Sequence, residues 1–321
     1  AIAVKLAGTK QIELNKVYGN VKTGTAVEAI EVPRVDHFRI LFSDEAANEI
    51  LNWCDLLFGL TPPAVRDLKD PRMQTQLIVF ASFIVLLVPL GLGLGAISPL
   101  REHRLTVGAA GWQGLVGLAA VLVASLPLVS TYVPGQFLAL DTGDILISWL
   151  SVAGLGIISV LAVTDNLRWV KLWKDLDATL LTVLIGVALI YAIQVPRDVT
   201  LHNLSFTPER LIAFLFSTLL LVPFFLGFEI LVRRGRPRMS PVLGTIGRII
   251  VIFVLIVGLE ARIIPPLVSL LLPILVIFMV ESEIVSAGVY ARSGNVVTAA
   301  LIESAWLAWM ISATMPVTMM L

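Results

Sequence analysis

Eight times after residue 76 the sequence runs for about twenty residues with almost no charge, and this recurrence restricts the fold more than any other feature. A helix crosses the hydrocarbon core of a bilayer with about 20 predominantly apolar residues, and in lipid only helices and closed barrels satisfy every backbone polar group. The runs 77–97, 110–132, 145–163, 178–195, 211–232, 244–260, 264–280 and 296–314 predict eight transmembrane helices. The sixth and seventh are the least separated, with only Ala261, Arg262 and Ile263 between them and Pro265 and Pro266 following at once.

A mean hydropathy of +0.92 with 14% charged residues is what a lipid-facing surface requires and a soluble domain does not show. The charge is concentrated at the start of the chain, so residues 1–60 form a small polar part and 77–321 a membrane domain. Between them, 61–76 (TPPAVRDLKDPRMQTQ) mixes prolines with alternating charge and predicts a linker. The 23 basic residues match the 23 acidic ones, leaving no global field to draw nucleic acid. Cys54 is the single cysteine, and no Cys/His group has metal-ligand spacing, so no metal and no cofactor is expected.

In the polar part, 26–32 predicts a short strand ended by Pro33, which suits a sheet edge. Ser43 has the position of an N-cap, with Asp44 and Glu45 complementing the helix dipole. Ala46, Ile50, Leu51, Cys54, Leu57 and Phe58 then recur at helical spacing, and Gly59 is a natural stop. Strand and helix are joined by Val35-Asp36-His37-Phe38-Arg39-Ile40-Leu41-Phe42. His37 is one of three histidines, and a loop imidazole titrating near neutrality suits a general base. His103 and His202 lie in polar loops and are expected to be surface groups.

The stretch VEAIEVPRVDHFRILFSDEAANEILNWCDLLFG resembles the C-terminal end of an α/β-hydrolase: last strand, catalytic-histidine loop and last helix. The resemblance implies that His37 is the base of a serine nucleophile lying earlier in the chain. Residues 1–36 contain no serine, so nucleophile and acid are expected upstream of Ala1, and this chain alone is expected to be inactive. Pro223 to Glu229, the basic turn Arg233-Arg234-Gly235-Arg236, and Tyr290 to Asn295 resemble the C-terminal helices of bacterial membrane-anchored α/β-hydrolases. The fold expected is therefore mainly α: a polytopic membrane helix bundle of about eight spans preceded by the C-terminal fragment of an α/β-hydrolase domain.

Within the apolar runs a charge is costly and normally pairs or lines a wet cavity. Glu303 sits about two turns into the last run, and Arg248, in the sixth, is a candidate partner for Glu303 or Glu229. Glu229, Glu260, Arg262 and Glu281 fall near predicted ends, within reach of the interface. Glycines 91, 93 and 95, and 111, 114 and 117, are expected to let helix backbones approach closely. The seven tryptophans are expected mostly at headgroup level.

Two function classes follow. One is a membrane-anchored serine hydrolase acting on an ester, thioester or peptide bond. The other is a transporter or channel-like protein, for which eight spans, far more than an anchor needs, are the argument. Against it stands the absence of paired broken helices at matching positions of two halves. The lipid bilayer is the partner expected in either case. Orientation follows from basic residues, which stay cytoplasmic in short loops. One set of alternating loops holds ten (Arg101, Arg104, Arg168, Lys171, Lys174, Arg233, Arg234, Arg236, Arg238, Arg292); the other holds three (Arg197, Arg210, Arg262), or six when Arg66, Lys69 and Arg72 before the first span are added. That bias puts the first set inside a bacterial cytoplasmic membrane and the N-terminal part outside the cytoplasm.

Overall fold

The structure is a computed structural model that describes residues 13–35, 40, 43–61, 69, 71–99, 111–133, 137–138, 140, 143–164, 175–198, 207–233 and 239–315. The chain divides into two compact units, Ala1–Phe80 and Ala81–Leu321.

In the first unit β1 (Val17–Tyr18) pairs antiparallel with β2 (Val27–Glu28), Val17 opposite Glu28 and Tyr18 opposite Val27. The turn between them needs Gly19 at φ +81°, where a Cβ would run into the Thr25 carbonyl. Helix α1 (Asp44–Leu57) starts where the sequence predicts: Ser43 Oγ accepts from the Ala46 N–H at 3.2 Å. It stops at Gly59, whose φ of +71° lets the Leu60 N–H reach back to the Asp55 carbonyl at 2.8 Å.

These elements correct the hydrolase expectation. The predicted strand 26–32 shortens to Val27–Glu28, and its one neighbour is the segment just before it in a two-stranded hairpin. A hydrolase's last strand closes a wide sheet; among the described residues there is no such sheet, and no C-terminal hydrolase portion is evident. The 33-residue likeness was local, and local likeness carries no information on which strands lie alongside.

The second unit is helical. Helix α2 (Arg72–Ile97) begins in the first unit, inside the stretch expected to be linker, and continues into the second. It is followed by α3 (Gly111–Tyr132), α4 (Gly143–Val163), α5 (Leu176–Asp198), α6 (Pro208–Val232) and α7 (Ser240–Glu260). A 3₁₀ turn (Pro266–Leu271) leads into α8 (Leu272–Ser293), and α9 (Val296–Thr314) ends the described chain. Eight helices, α2 to α9, are long and apolar enough to cross a membrane. The protein is an integral membrane protein, and the lipid bilayer is its solvent.

Helix α9 is the most enclosed of the eight. It packs along α6 and also meets α5 and α8, while contacts of α6 with α4, α4 with α3, α3 with α7 and α7 with α8 close a ring back to α9. Small residues make the tightest crossings, as membrane helices require. A Cβ at Gly154 of α4 would strike the backbone at Pro223 and Phe224 of α6. Gly91 and Gly95 of α2 meet the backbone of α8 at Val285, Gly288 and Val289, whereas Gly93 and Gly117 face open space.

Two further expectations change. The seventh span does not stop at residue 280 but runs to Ser293, carrying Glu281 and Glu283 inside the helix, both buried. Trp149, Trp306 and Trp309 are buried in the bundle rather than placed at headgroup level; Trp149 Nε1 donates to the Leu122 carbonyl at 3.1 Å. Trp112 is largely exposed, consistent with an interfacial anchor.

Candidate functional site

Four helices meet at one end of the bundle, because α6 ends where α7 begins and α8 ends where α9 begins. Each brings a charged side chain into the same buried volume: Glu229 and Arg233 from α6 and its C-cap, Arg248 from α7, Glu283 from α8 and Glu303 from α9. All five are buried, Glu283 being the most accessible at 8%.

Glu229 and Arg233 are one turn apart, the spacing that lets side chains on a helix meet. Arg233 Nε donates to Glu229 Oε2 at 2.8 Å and Nη2 to Oε1 at 3.3 Å. The far edge of the same guanidinium makes a second fork, Nη1 to Glu283 Oε1 at 2.7 Å and Nη2 to Oε2 at 3.0 Å. Arg233 thus clamps α6 to α8 with the planar two-by-two geometry that lysine cannot supply. Its remaining donors find Ser240 Oγ and Ser286 Oγ, and Tyr290 Oη donates to its carbonyl at 2.9 Å.

Arg248 is the hub. Its Nη1 donates to Glu283 Oε2, its Nη2 to Glu303 Oε1 and, at 3.4 Å, to Glu229 Oε1. Nε reaches Ser282 Oγ at 3.3 Å and Nη2 also reaches Ser286 Oγ at 3.2 Å. The guanidinium carbon lies 4.9 Å from the centre of the Phe228 ring, a cation–π contact that replaces water on that face. Below it an aromatic layer runs Phe228, Phe224, Phe225, Phe278, Trp306, Phe83, each ring within 6.5 Å of the next. The charges therefore lie in a low-dielectric pocket, where an ion is tolerable only if paired and hydrogen-bonded.

The pairing is incomplete. Three carboxyl groups face two guanidinium groups, and Glu303 Oε2 is buried with no hydrogen-bond partner among the described residues. Further along α9, Trp306 Nε1, Trp309 Nε1 and Ser312 Oγ are in the same condition, as is Ser217 Oγ of α6. Residues 303, 306, 309 and 312 follow the i, i+3 ridge of α9, which leads away from the charges to where Arg210 Nη1 caps the Ala313 carbonyl at 2.8 Å.

Of the residues singled out in the sequence, Glu303, Arg248 and Glu229 come together here, Arg248 touching both carboxylates. Glu229, near a predicted end, is fully buried. His37 lies outside the described residues, as do His103 and His202. Arg233 and Glu283 were not foreseen as site residues. Among the described residues no group of three or more His, Cys, Asp or Glu is arranged to hold a metal ion. Comparison with known protein families, with curated proteins and with solved structures finds no significant match to this chain.

Proposed function

We propose that this protein is a transporter that moves protons across the membrane, with Glu303 as the proton-binding group of the Glu229, Arg233, Arg248, Glu283 and Glu303 cluster. The observation that carries the reading is the unmatched third carboxyl. A net negative charge in this pocket would cost several kcal/mol, and a proton on one carboxyl removes it. Glu303 is the natural place for that proton, since it pairs through one oxygen only and leaves Oε2 unpartnered among the described residues. The ridge of unpartnered polar atoms on α9 supports a route to the far side, because such groups in an apolar interior call for water.

An unmatched third carboxyl and the open polar atoms along α9 are more than a clamp between helices needs, and on that ground transport is favoured over pure bracing. Liposomes containing the purified protein and a trapped pH-sensitive dye provide the test. Under an imposed potential, or with an opposing gradient of a monovalent cation, the wild type should acidify or alkalinise the lumen faster than protein-free liposomes, and Glu303→Gln should remove most of that flux. Flux no greater than that of empty liposomes, or equal flux in wild type and Glu303→Gln, would reject the reading.

The bias of basic loops supports a cytoplasmic position for the cluster's end of the bundle. Arg233 and Arg292 both sit at that end, in the set of ten.

A further inference from the structure

A groove of about 430 Å³ lies between α7 and α8, on the outer face of the bundle. Ile249, Phe253, Val276 and Val280 wall it, and Arg248 and Glu283 form its floor. Ile249 and Phe253 are 61% and 64% exposed, so the groove opens through apolar side chains on the outer face of two membrane-length helices. Its volume falls in the range that encloses a drug-sized molecule.

We infer that this groove admits a lipophilic monovalent cation from the bilayer, which sets its charge against Glu283 and replaces the proton on Glu303. The inference rests on the proton-transport reading and names its substrate class. An apolar wall with an aromatic side chain selects a molecule that partitions into lipid; on the floor Arg248 and Glu283 offset each other, and the third carboxyl of the cluster behind them selects the sign. A third positive charge would balance the three carboxylates, whereas an anion would raise an existing excess.

Arg248 links the two sites, since the same guanidinium donates to Glu283 and to Glu303. With a proton on Glu303, Arg248 serves Glu283 and Glu229. With a cation at Glu283, Arg248 turns to Glu229 and a deprotonated Glu303, and one proton leaves for bulk water. Cation and proton compete, which is the condition for exchange of one against the other. Other groups facing Glu303 are Arg233 and Glu229 from α6 and Glu283 from α8; Glu281 lies on the other stripe of α8, with Val285 and Gly288. From α5, Asp177 is exposed and Tyr191 packs on Trp309.

Binding of tetraphenylphosphonium to the purified full chain in detergent tests the inference, with triphenylphosphine oxide as neutral and tetraphenylborate as anionic controls. The cation should bind best, weaken as pH falls, and release about one proton per molecule in weakly buffered solution. Val280→Trp, which fills the groove from its rim, should weaken binding about tenfold or more, while Val116→Trp on the exposed face of α3 should not. Glu303→Gln should bind weakly and without pH dependence. Equal binding of the three probes, binding without proton release, or an unaffected Val280→Trp of native thermal stability would overturn it. If Glu303-dependent proton flux persists in those cases, the transport reading survives and only the substrate class falls.

Discussion

Replacing Arg233 with Met is the sharpest test of the charge cluster, because one side chain holds two carboxylates on two helices. The apolar stem remains and the guanidinium is lost, so Glu229 and Glu283 each lose a two-point partner. A guanidinium and a carboxylate about 4 Å apart at an effective dielectric of about 20 attract by about 4 kcal/mol. Removing one partner of a buried pair costs about 3–5 kcal/mol in other proteins, because the survivor is left uncompensated. Glu283 still has Arg248, so most of the loss falls on Glu229, which keeps only its 3.4 Å contact with Arg248. We predict a destabilisation of about 4 kcal/mol, which for a unit of this size corresponds to a fall in Tm of roughly 10 °C.

Thermal unfolding in detergent, followed by fluorescence-detected size exclusion, reads this directly. The decisive comparison is the double variant Arg233→Met/Glu229→Gln: with no orphaned carboxylate it should regain a large share of the lost stability. Arg233→Lys should lie between wild type and Met, since an ammonium keeps the charge but cannot form two forks. If Arg233→Met unfolds at the wild-type temperature, the clamp does not exist as described. If the double variant is no more stable than the single one, uncompensated burial is not the cause.

Other outcomes follow from single contacts. Gly154→Leu should destabilise the bundle by well over 1 kcal/mol and reduce its membrane yield, since its side chain would meet the α6 backbone and not a movable group. Trp306→Phe should leave Tm nearly unchanged, within about 1 kcal/mol, because Phe keeps the ring contacts with Phe83 and Phe278 and discards an N–H that has no partner among the described residues. A cysteine at Gly235 should be shielded from an impermeant maleimide in intact cells and one at Gly135 labelled; the reverse pattern would invert the orientation drawn from the basic loops.

The membrane bundle was legible because hydrocarbon imposes a length and a composition that few soluble helices share, and the eight runs needed only small changes at most ends. The seventh differs for an identifiable reason: the charge of Glu281 marks an end to the apolar stretch in the sequence, while the helix continues past it. Glu283, Ser286 and Tyr290 in fact continue one helical face at intervals of three and four. Arg233 was hidden differently, inside the basic run Arg233-Arg234-Gly235-Arg236, where it looks like any cytoplasmic loop charge. The signal available was its four-residue spacing from Glu229. Glu303 stood out as the lone charge of its apolar run, and Arg248 as the only charge inside a run that Glu260 closes. The hydrolase likeness misled because a strand, a loop and a helix in order are compatible with many folds, and the sheet that would distinguish them is a non-local property.

Depth gives the cluster a direction. Arg248 lies eight residues into α7, about 12 Å from its start, and Glu303 seven residues into α9, about 10 Å from its start. Glu229 is three residues from the end of α6 and Glu283 ten from the end of α8, about 15 Å. All of these helix ends lie on the same side, so the charges occupy one half of a hydrocarbon core about 30 Å thick. A proton on Glu303 is then within two helical turns of water on that side, while toward the other side Trp306, Trp309 and Ser312 carry polar atoms with no partner among the described residues. Exchange with the near side needs no more than a shift of Arg248 between carboxylates; exchange with the far side needs ordered water along α9. If the protein carries protons as proposed, the slow step falls on the α9 ridge. Substituting Ser312 with Val should slow proton flux while leaving cation binding at the α7–α8 groove intact, and equal slowing of both would place the barrier at the cluster itself.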